Sequence, residues 1–333
     1  MSYTNGLDNP ELYFQVKLYT GTGSELAITL DGDENMQPDF VWSKNRDQSE
    51  GHKIFDSVRG VTKFIMSNNT DAEATAAQTL KSFDSDGVTI GTDADMNTSN
   101  EKNVLWCWKE SATAGFDIIA YTGTGSNMDV SHNLSAVPDF FVIKNLEVDQ
   151  AWRAFHKNMT TADPYSTRMV LSEDGAATTS ALGLDADPTS SVINIGTGTG
   201  CTNASGEDMI VYAWTSIQGF SKFGSYTGNG NADGPFIYTG FRPAFIMIKR
   251  TDSTGWWNII DNKRLGYNAL NPRLYPNVTN AEDATEAVMD ILSNGFKARA
   301  TSQYINYSAG TYVYMAFAEA PFVNSNGVPC NAR

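Results

Sequence analysis

The chain repeats itself three times, and a long internal repeat limits the fold more than any local propensity does. Tyr19-Thr20-Gly21-Thr22-Gly23 returns as Tyr121-Thr122-Gly123-Thr124-Gly125, and again as Tyr226-Thr227-Gly228-Asn229-Gly230. Behind each copy comes a Pro, then a Phe two residues on and a Lys six residues on: Pro38, Phe40 and Lys44; Pro138, Phe140 and Lys144; Pro243, Phe245 and Lys249. A third anchor closes each copy, as Trp106-Cys107-Trp108, Tyr212-Ala213-Trp214 and Met315-Ala316-Phe317. These anchors delimit units at residues 14–112, 116–218 and 220–322, with an N-terminal arm at 1–13 and a C-terminal tail at 323–333. The joints, Ala114-Gly115 and Gln218-Gly219, are too short to act as flexible linkers, so neighbouring units should touch.

Within a unit the signals are those of strands. Phe40-Val41-Trp42, Phe140-Phe141-Val142-Ile143 and Phe245-Ile246-Met247-Ile248 are short apolar runs that open after a Pro unable to donate to a ladder. Side chains alternate faces along a strand. Ile143 and Ile248 therefore stand opposite Val142 and Met247, where the first copy has Ser43, so the outer face should be covered in the second and third copies. A second run follows as His52-Lys53-Ile54-Phe55-Asp56, Trp152-Arg153-Ala154-Phe155-His156 and Trp257-Asn258-Ile259-Ile260-Asp261. With only 18% charged residues and 11% aromatics, the composition favours short strands and tight turns over long amphipathic helices. Helix signals collect only at residues 71–83 and 280–292, after caps at Thr70 and Thr279. The expected fold is all-β: three tandem homologous antiparallel β-sandwich units with little helix.

Charge and cysteine usage exclude several classes. The 23 basic against 38 acidic residues leave a formal charge of −15 without a Lys/Arg cluster, which speaks against nucleic acid as a partner. No apolar run has the length of a membrane helix, so membrane insertion is not expected. Residues Met1 to Asp8 carry neither the basic nor the apolar region of a signal peptide, which points to assembly in a cytoplasm. Cys107, Cys201 and Cys330 are odd in number and lack CxxC spacing, against a disulfide framework or a zinc site.

The segments Tyr13 to Gly23, Pro38 to Arg46, Phe55-Asp56-Ser57-Val58-Arg59-Gly60 and Trp106-Cys107-Trp108-Lys109 resemble the repeated β domain of tail-fibre-like virion surface proteins in marine bacteriophages. Gly234-Pro235-Phe236 through Ala318-Glu319-Ala320-Pro321-Phe322 carry the same resemblance, which thus covers nearly the whole chain. The likeness implies a virion structural protein at the particle surface, whose partners are other virion proteins and a host-surface glycan or protein receptor. A homo-oligomer, with a trimer favoured, would multiply weak contacts by effective concentration.

Candidate site residues follow from spacing. Asp56 with Arg59, and Asp261 with Arg264, lie three apart and suit a carboxylate–guanidinium pair. Recurrence in two copies points to a structural clasp, with ligand contact the alternative; the second copy departs, with His156 and Met159 in those places. Asp31, Asp33 and Asn35, like Asp93, Asp95 and Asn97, place oxygens at alternate positions as calcium loops do, but lack the Gly and Glu that complete an EF-hand. Gly196-Thr197-Gly198-Thr199-Gly200 lacks the Lys of a phosphate loop and reads as a turn. For stacking on sugar rings the candidates are Trp256, Trp257, Trp152, Tyr304 and Tyr307. Trp152 and Trp257 occupy equivalent positions and also suit core packing, which leaves Trp256 as first choice.

No acid pair or His/Cys cluster sits in a catalytic context, so neither enzyme activity nor a cofactor is expected. The leading expectation is a tail-fibre-like adhesin presenting loops for host attachment. A capsid decoration or cement protein is the alternative, favoured by the short arm before the first repeat, and a polysaccharide depolymerase stands behind both.

Overall fold

The computed structural model describes residues 7–159, 164–179, 183–197, 200–264, 268 and 272–329. Cys330, Gly198 and Thr199, together with the first six and last four residues of the arm and tail, lie outside the described residues. The chain is all-β, built from antiparallel sheets. Its described helix is confined to Ala94–Asn97 and to 3-10 turns at Pro10–Leu12 and Pro164–Ser166.

Three sheets are large. In spatial order the first holds Phe14–Thr20, Lys102–Trp108, Phe40–Asn45, Lys53–Asp56, Lys63–Met66 and Ala74–Thr75. The second holds Phe116–Thr122, Asp208–Trp214, Phe140–Asn145, Arg153–His156, Thr167–Val170 and Thr178–Thr179. The third holds Ser221–Thr227, Thr311–Pro321, Phe241–Arg250 and Asn258–Asp261. In each, the strand that closes the sheet in sequence inserts between the opening strand and the Pro-led strand. The register matches: Phe14 pairs with Trp108, Phe116 with Trp214 and Ser221 with Phe317.

A smaller sheet covers one face of each large one. Leu26–Thr29, Gly87–Ile90 and Leu80–Asp84 pack on the first, so that Ile28, Leu80, Val88 and Ile90 share a core with Val41, Phe55, Leu105 and Cys107. Met128–Ser131 and Val192–Ile195 cover the second through Val130, Ile193 and Ile195 against Phe141, Ile143 and Val211. Phe236–Tyr238, Gly295–Ala298 and Met289–Leu292 cover the third through Ile237, Ile291 and Phe296 against Ile246, Ile248 and Ala316.

The opposite faces of the three large sheets meet one another. Phe40, Trp42, Trp106 and Trp108 from the first, Phe140, Val142, Tyr212 and Trp214 from the second, and Phe245, Met247, Met315 and Phe317 from the third form one continuous core. Its rings interlock across sheets: Phe40 lies 4.7 Å from Tyr212, Trp108 5.3 Å from Phe245 and Phe140 6.3 Å from Phe223, centroid to centroid. A strand covered on both faces has no polar side to show, which is why the Pro-led strands are apolar at consecutive positions. Covering therefore extends to all three sheets, and Ser43 is as buried as its counterparts, because the small sheet that packs on Val41 and Leu105 closes that face of the first sheet too.

The two stretches with helix signals run extended. Residues 71–83 hold the strand Ala74–Thr75 and the start of Leu80–Asp84, and residues 280–292 end in the strand Met289–Leu292. Their amides are taken by neighbouring sheets: Glu73 N–H donates to Leu146 O at 2.9 Å and Glu282 N–H to Arg46 O at 2.8 Å. These bonds outweigh a modest Ala and Glu helix preference.

The Tyr-Thr-Gly repeat has a local cause. A Cβ on Gly21, Gly123 or Gly228 would stand 2.1–2.2 Å from the carbonyl oxygen of Thr98, Ala204 or Tyr307, so only glycine fits. The tyrosine before it reaches over the same loop, with Tyr19, Tyr121 and Tyr226 donating to Met96 O, Thr202 O and Ile305 O. A buried Asn completes each loop: Asn97, Asn203 and Asn306 accept from the backbone of Thr22, Thr124 and Asn229.

Because the three large sheets share one core, Phe245→Ala should destabilise the whole chain, by about 3–5 kcal/mol. Denaturant unfolding followed by tryptophan fluorescence and far-UV circular dichroism should give one coincident transition at a lower midpoint.

Candidate functional site

The polar residues singled out by their spacing lie where the large sheets meet. Asp56 ends the strand Lys53–Asp56, and the turn after it brings Arg59 back, so that Arg59 Nε and its backbone N–H both donate to the carboxylate, the latter at 2.8 Å. Asp261 and Arg264 repeat this at 2.7 Å and 3.0 Å. All four side chains are at most 3% exposed.

Each carboxylate also accepts a bond from the next sheet. Tyr212 Oη donates to Asp56 Oδ2 at 2.6 Å, and Trp106 Nε1 donates to Asp261 Oδ2 at 2.9 Å. In the second sheet His156 stands where the others have Asp, and its Nε2 lies 3.1 Å from Tyr314 O in the third. Asn158 N–H donates to His156 Nδ1 at 3.0 Å, which leaves the ring proton on Nε2 for Tyr314. The first sheet thus binds the second, the second the third and the third the first, through one position each. Burial pushes the His156 pKa down to about 4, keeping the ring neutral. Met159, in place of the arginine, lies in the central core.

Trp152 and Trp257 belong to the same seams. Trp152 is 0% and Trp257 2% exposed, and their indole N–H groups donate to Met66 O and Val170 O of the preceding sheet at 2.9 Å and 3.0 Å. Neither faces a ligand at the surface, because each ring is sealed in its seam with its donor already engaged. The third seam is bridged by Ser67 Oγ, which donates to Pro276 O at 2.7 Å.

The remaining aromatics lie nearer the surface, with Trp256 and Tyr304 half-buried. Trp256 stacks on Tyr304 at 5.6 Å with the planes 2° apart, and Tyr275 meets its ring at 5.0 Å. Tyr307 is half exposed, with the Arg250 guanidinium 4.6 Å from its ring centroid. Asp252 holds Arg250 through two bonds at 2.9 Å and 3.0 Å, which fixes the cation against the ring and leaves the rest of the tyrosine open.

The calcium candidates have other partners. Lys53 Nζ lies 2.6 Å from Asp93 and 2.9 Å from Asp95, so its ammonium already occupies the place between the two carboxylates that a cation would take. Asn97 gives its amide to Ser24 O and Gly91 O as the loop staple described above. Asp31 pairs with Lys17, and Asp33 and Asn35 are exposed on that loop. Cys107 and Cys201 are buried free thiols.

Sequence reasoning missed the lysines. Lys44, Lys144 and Lys249 were visible as a recurring anchor, but their strand position gave no sign that all three are 0% exposed. Each ammonium donates to the carbonyl of the following residue, at 2.6–2.7 Å, and Lys144 and Lys249 also reach Thr70 O and Asp174 O of adjoining sheets. The signal available was a cation kept at the end of an apolar run in three copies.

The model of a family described as a domain of unknown function, DUF7483, matches residues 9–321. The chain belongs to that family. No curated protein and no solved structure matches it. The family match spans all three large sheets, so its core, seams and loop staples fall within one family domain.

Asp56→Ala would leave the Arg59 guanidinium with only Glu73 and Ile54 O, strand the Tyr212 hydroxyl inside the seam, and should cost about 3–5 kcal/mol in denaturant unfolding. Burial lowers the pKa of Lys44, Lys144 and Lys249 to about 8. From pH 8 to about 9 the unfolded chain holds lysine protons that the folded chain has released, so stability should rise with pH there, until buried Cys107 and Tyr121, which lose protons only on unfolding, oppose the rise. Thermal melts from pH 7.5 to about 9 should show the rise, and Lys144→Met should flatten its slope.

Proposed function

We propose that the chain is a non-enzymatic virion surface protein, a tail-fibre-like adhesin made of three homologous β-sandwich units closed around a shared core. The division of its residues carries the reading. The polar and aromatic groups that recur at equivalent positions are spent internally, Asp56 and Asp261, Trp152 and Trp257 on joining the sheets and the three lysines on buried carbonyl oxygens. Of those in the third unit without aromatic counterparts, Trp256 and Tyr304 stack half-buried on one another and Tyr307 is half exposed, where a rigid aromatic surface suits a sugar ring. A fold alone does not state its use, so the argument rests on this surface.

In this reading the units supply to one another the contacts that a trimer of single sandwiches would make. A homotrimer of the whole chain is then a second level of assembly that raises avidity. Its partners would be other virion proteins and a host-surface glycan.

Tyr307→Ala should weaken retention of the protein on host-envelope polysaccharide about tenfold and leave its melting temperature within a few degrees of the parent. Absence of retention by the parent protein would overturn the adhesin reading. Labelling over the whole capsid lattice, away from the tail, would favour a decoration role, and new reducing ends in the incubated polysaccharide would favour a depolymerase.

A further inference from the structure

A concavity of ≈ 730 Å³ lies where the second large sheet passes to the third. Lys157 and Lys222 converge on it, Ser216 lies between them, and Tyr238 and Phe322 wall it. In a chain of charge −15 this is an unusual place for two ammonium groups.

The equivalent places in the other sheets show what has changed. Lys222 is the second residue of its opening strand and pairs with Ala316, as Asp117 pairs with Ala213 and Gln15 with Cys107. Lys157 N–H donates to Asp139 O as Ser57 N–H donates to Asp39 O. The passage from the first sheet to the second therefore sets Asp117 beside Glu110 on the same framework that carries Lys222 beside Ser216. There Glu110, by burial and its hydrogen bond to Asp117, has its pKa pushed up to about 7. The backbone is held constant while the local charge is inverted.

One of the two cations is free to act. Lys157 Nζ lies 2.8 Å from Asp139, which neutralises it. Lys222 Nζ donates to Tyr238 O at 2.7 Å and lies 5.3 Å from that ring's centroid, with no carboxylate in ion-pair range among the described residues. Tyr238 is 54% exposed, so its ring is offered to the cleft. An ammonium with remaining donors beside an open aromatic ring suits a ligand that carries a carboxylate on a sugar.

We infer that this cleft binds a uronic acid residue of an acidic polysaccharide, its carboxylate on Lys222 and its ring against Tyr238. The inference rests on the adhesin reading and names the substrate class that such a surface would take. Calorimetry with a galacturonate hexamer, a neutral galactose hexamer and free galacturonate tests it. The parent protein should bind the acidic hexamer at least tenfold more tightly than the neutral one or the free acid, and more weakly as salt rises. Lys222→Glu should abolish binding, Lys222→Arg should keep it, and Tyr238→Ala should weaken it about tenfold. Equal binding of the acidic and neutral hexamers, or of hexamer and free acid, overturns the inference, as does acidic-hexamer binding by a folded Lys222→Glu protein. Retention of Lys222→Glu on host polysaccharide, with the hexamer unbound by the parent, removes this cleft and leaves the adhesin reading standing. Loss of retention by the parent protein removes that reading itself.

Discussion

The structure depends on three sheets that are apolar on both faces and share one core. A two-faced apolar sheet is insoluble alone, since each uncovered face would expose several large side chains to water. A small sheet solves half of this problem for each large sheet, and the other two large sheets solve the rest. The central core is rich in aromatics because three converging faces leave a wide space, and tilted or edge-on rings such as Trp108 and Phe245 fill it with favourable contacts. Tandem connection in one chain makes the meeting of the three faces intramolecular, which lowers its entropic cost relative to assembly from separate chains.

Bringing the faces together also buries strand ends, with their polar groups, along the seams. The solution is the same in kind at each seam but differs in residue. Two seams use a carboxylate that accepts from an arginine and from an aromatic donor of the next sheet. The third uses a neutral histidine, whose Nε2 faces a backbone carbonyl. A carboxylate there would face Tyr314 O instead of a donor, so the change from Asp to His follows the change in partner. The buried lysines follow similar logic, with each ammonium satisfied by carbonyl oxygens inside the fold.

Residues that recur are consumed by the architecture, so differences between equivalent positions are where recognition can arise without cost to the fold. The cleft at Lys222 and the patch at Trp256 and Tyr307 are both departures of this kind, and both involve the third large sheet and its loops. A scaffold with two equivalent passages between its large sheets can carry acid groups at one and ammonium groups at the other, because the intervening strands hold the geometry.

Much of the fold was legible from spacing. The apolar runs after Pro38, Pro138 and Pro243 announced strands, and the pairs Asp56 with Arg59 and Asp261 with Arg264 announced a clasp, since both depend on local sequence. The extended course of residues 71–83 and 280–292 was not legible, because amide bonds to other sheets decide it, and local preference carries no record of them. The same holds for Trp152 and Trp257, whose spacing fits surface stacking and core packing equally well, and for the burial of Lys44, Lys144 and Lys249. By itself the sequence determined that the chain folds as short antiparallel strands with glycine-bound loops, because alternation and turn chemistry act over a few residues. Only the tertiary structure decided which polar groups are sealed in seams and which face water, because that depends on where three distant sheets meet.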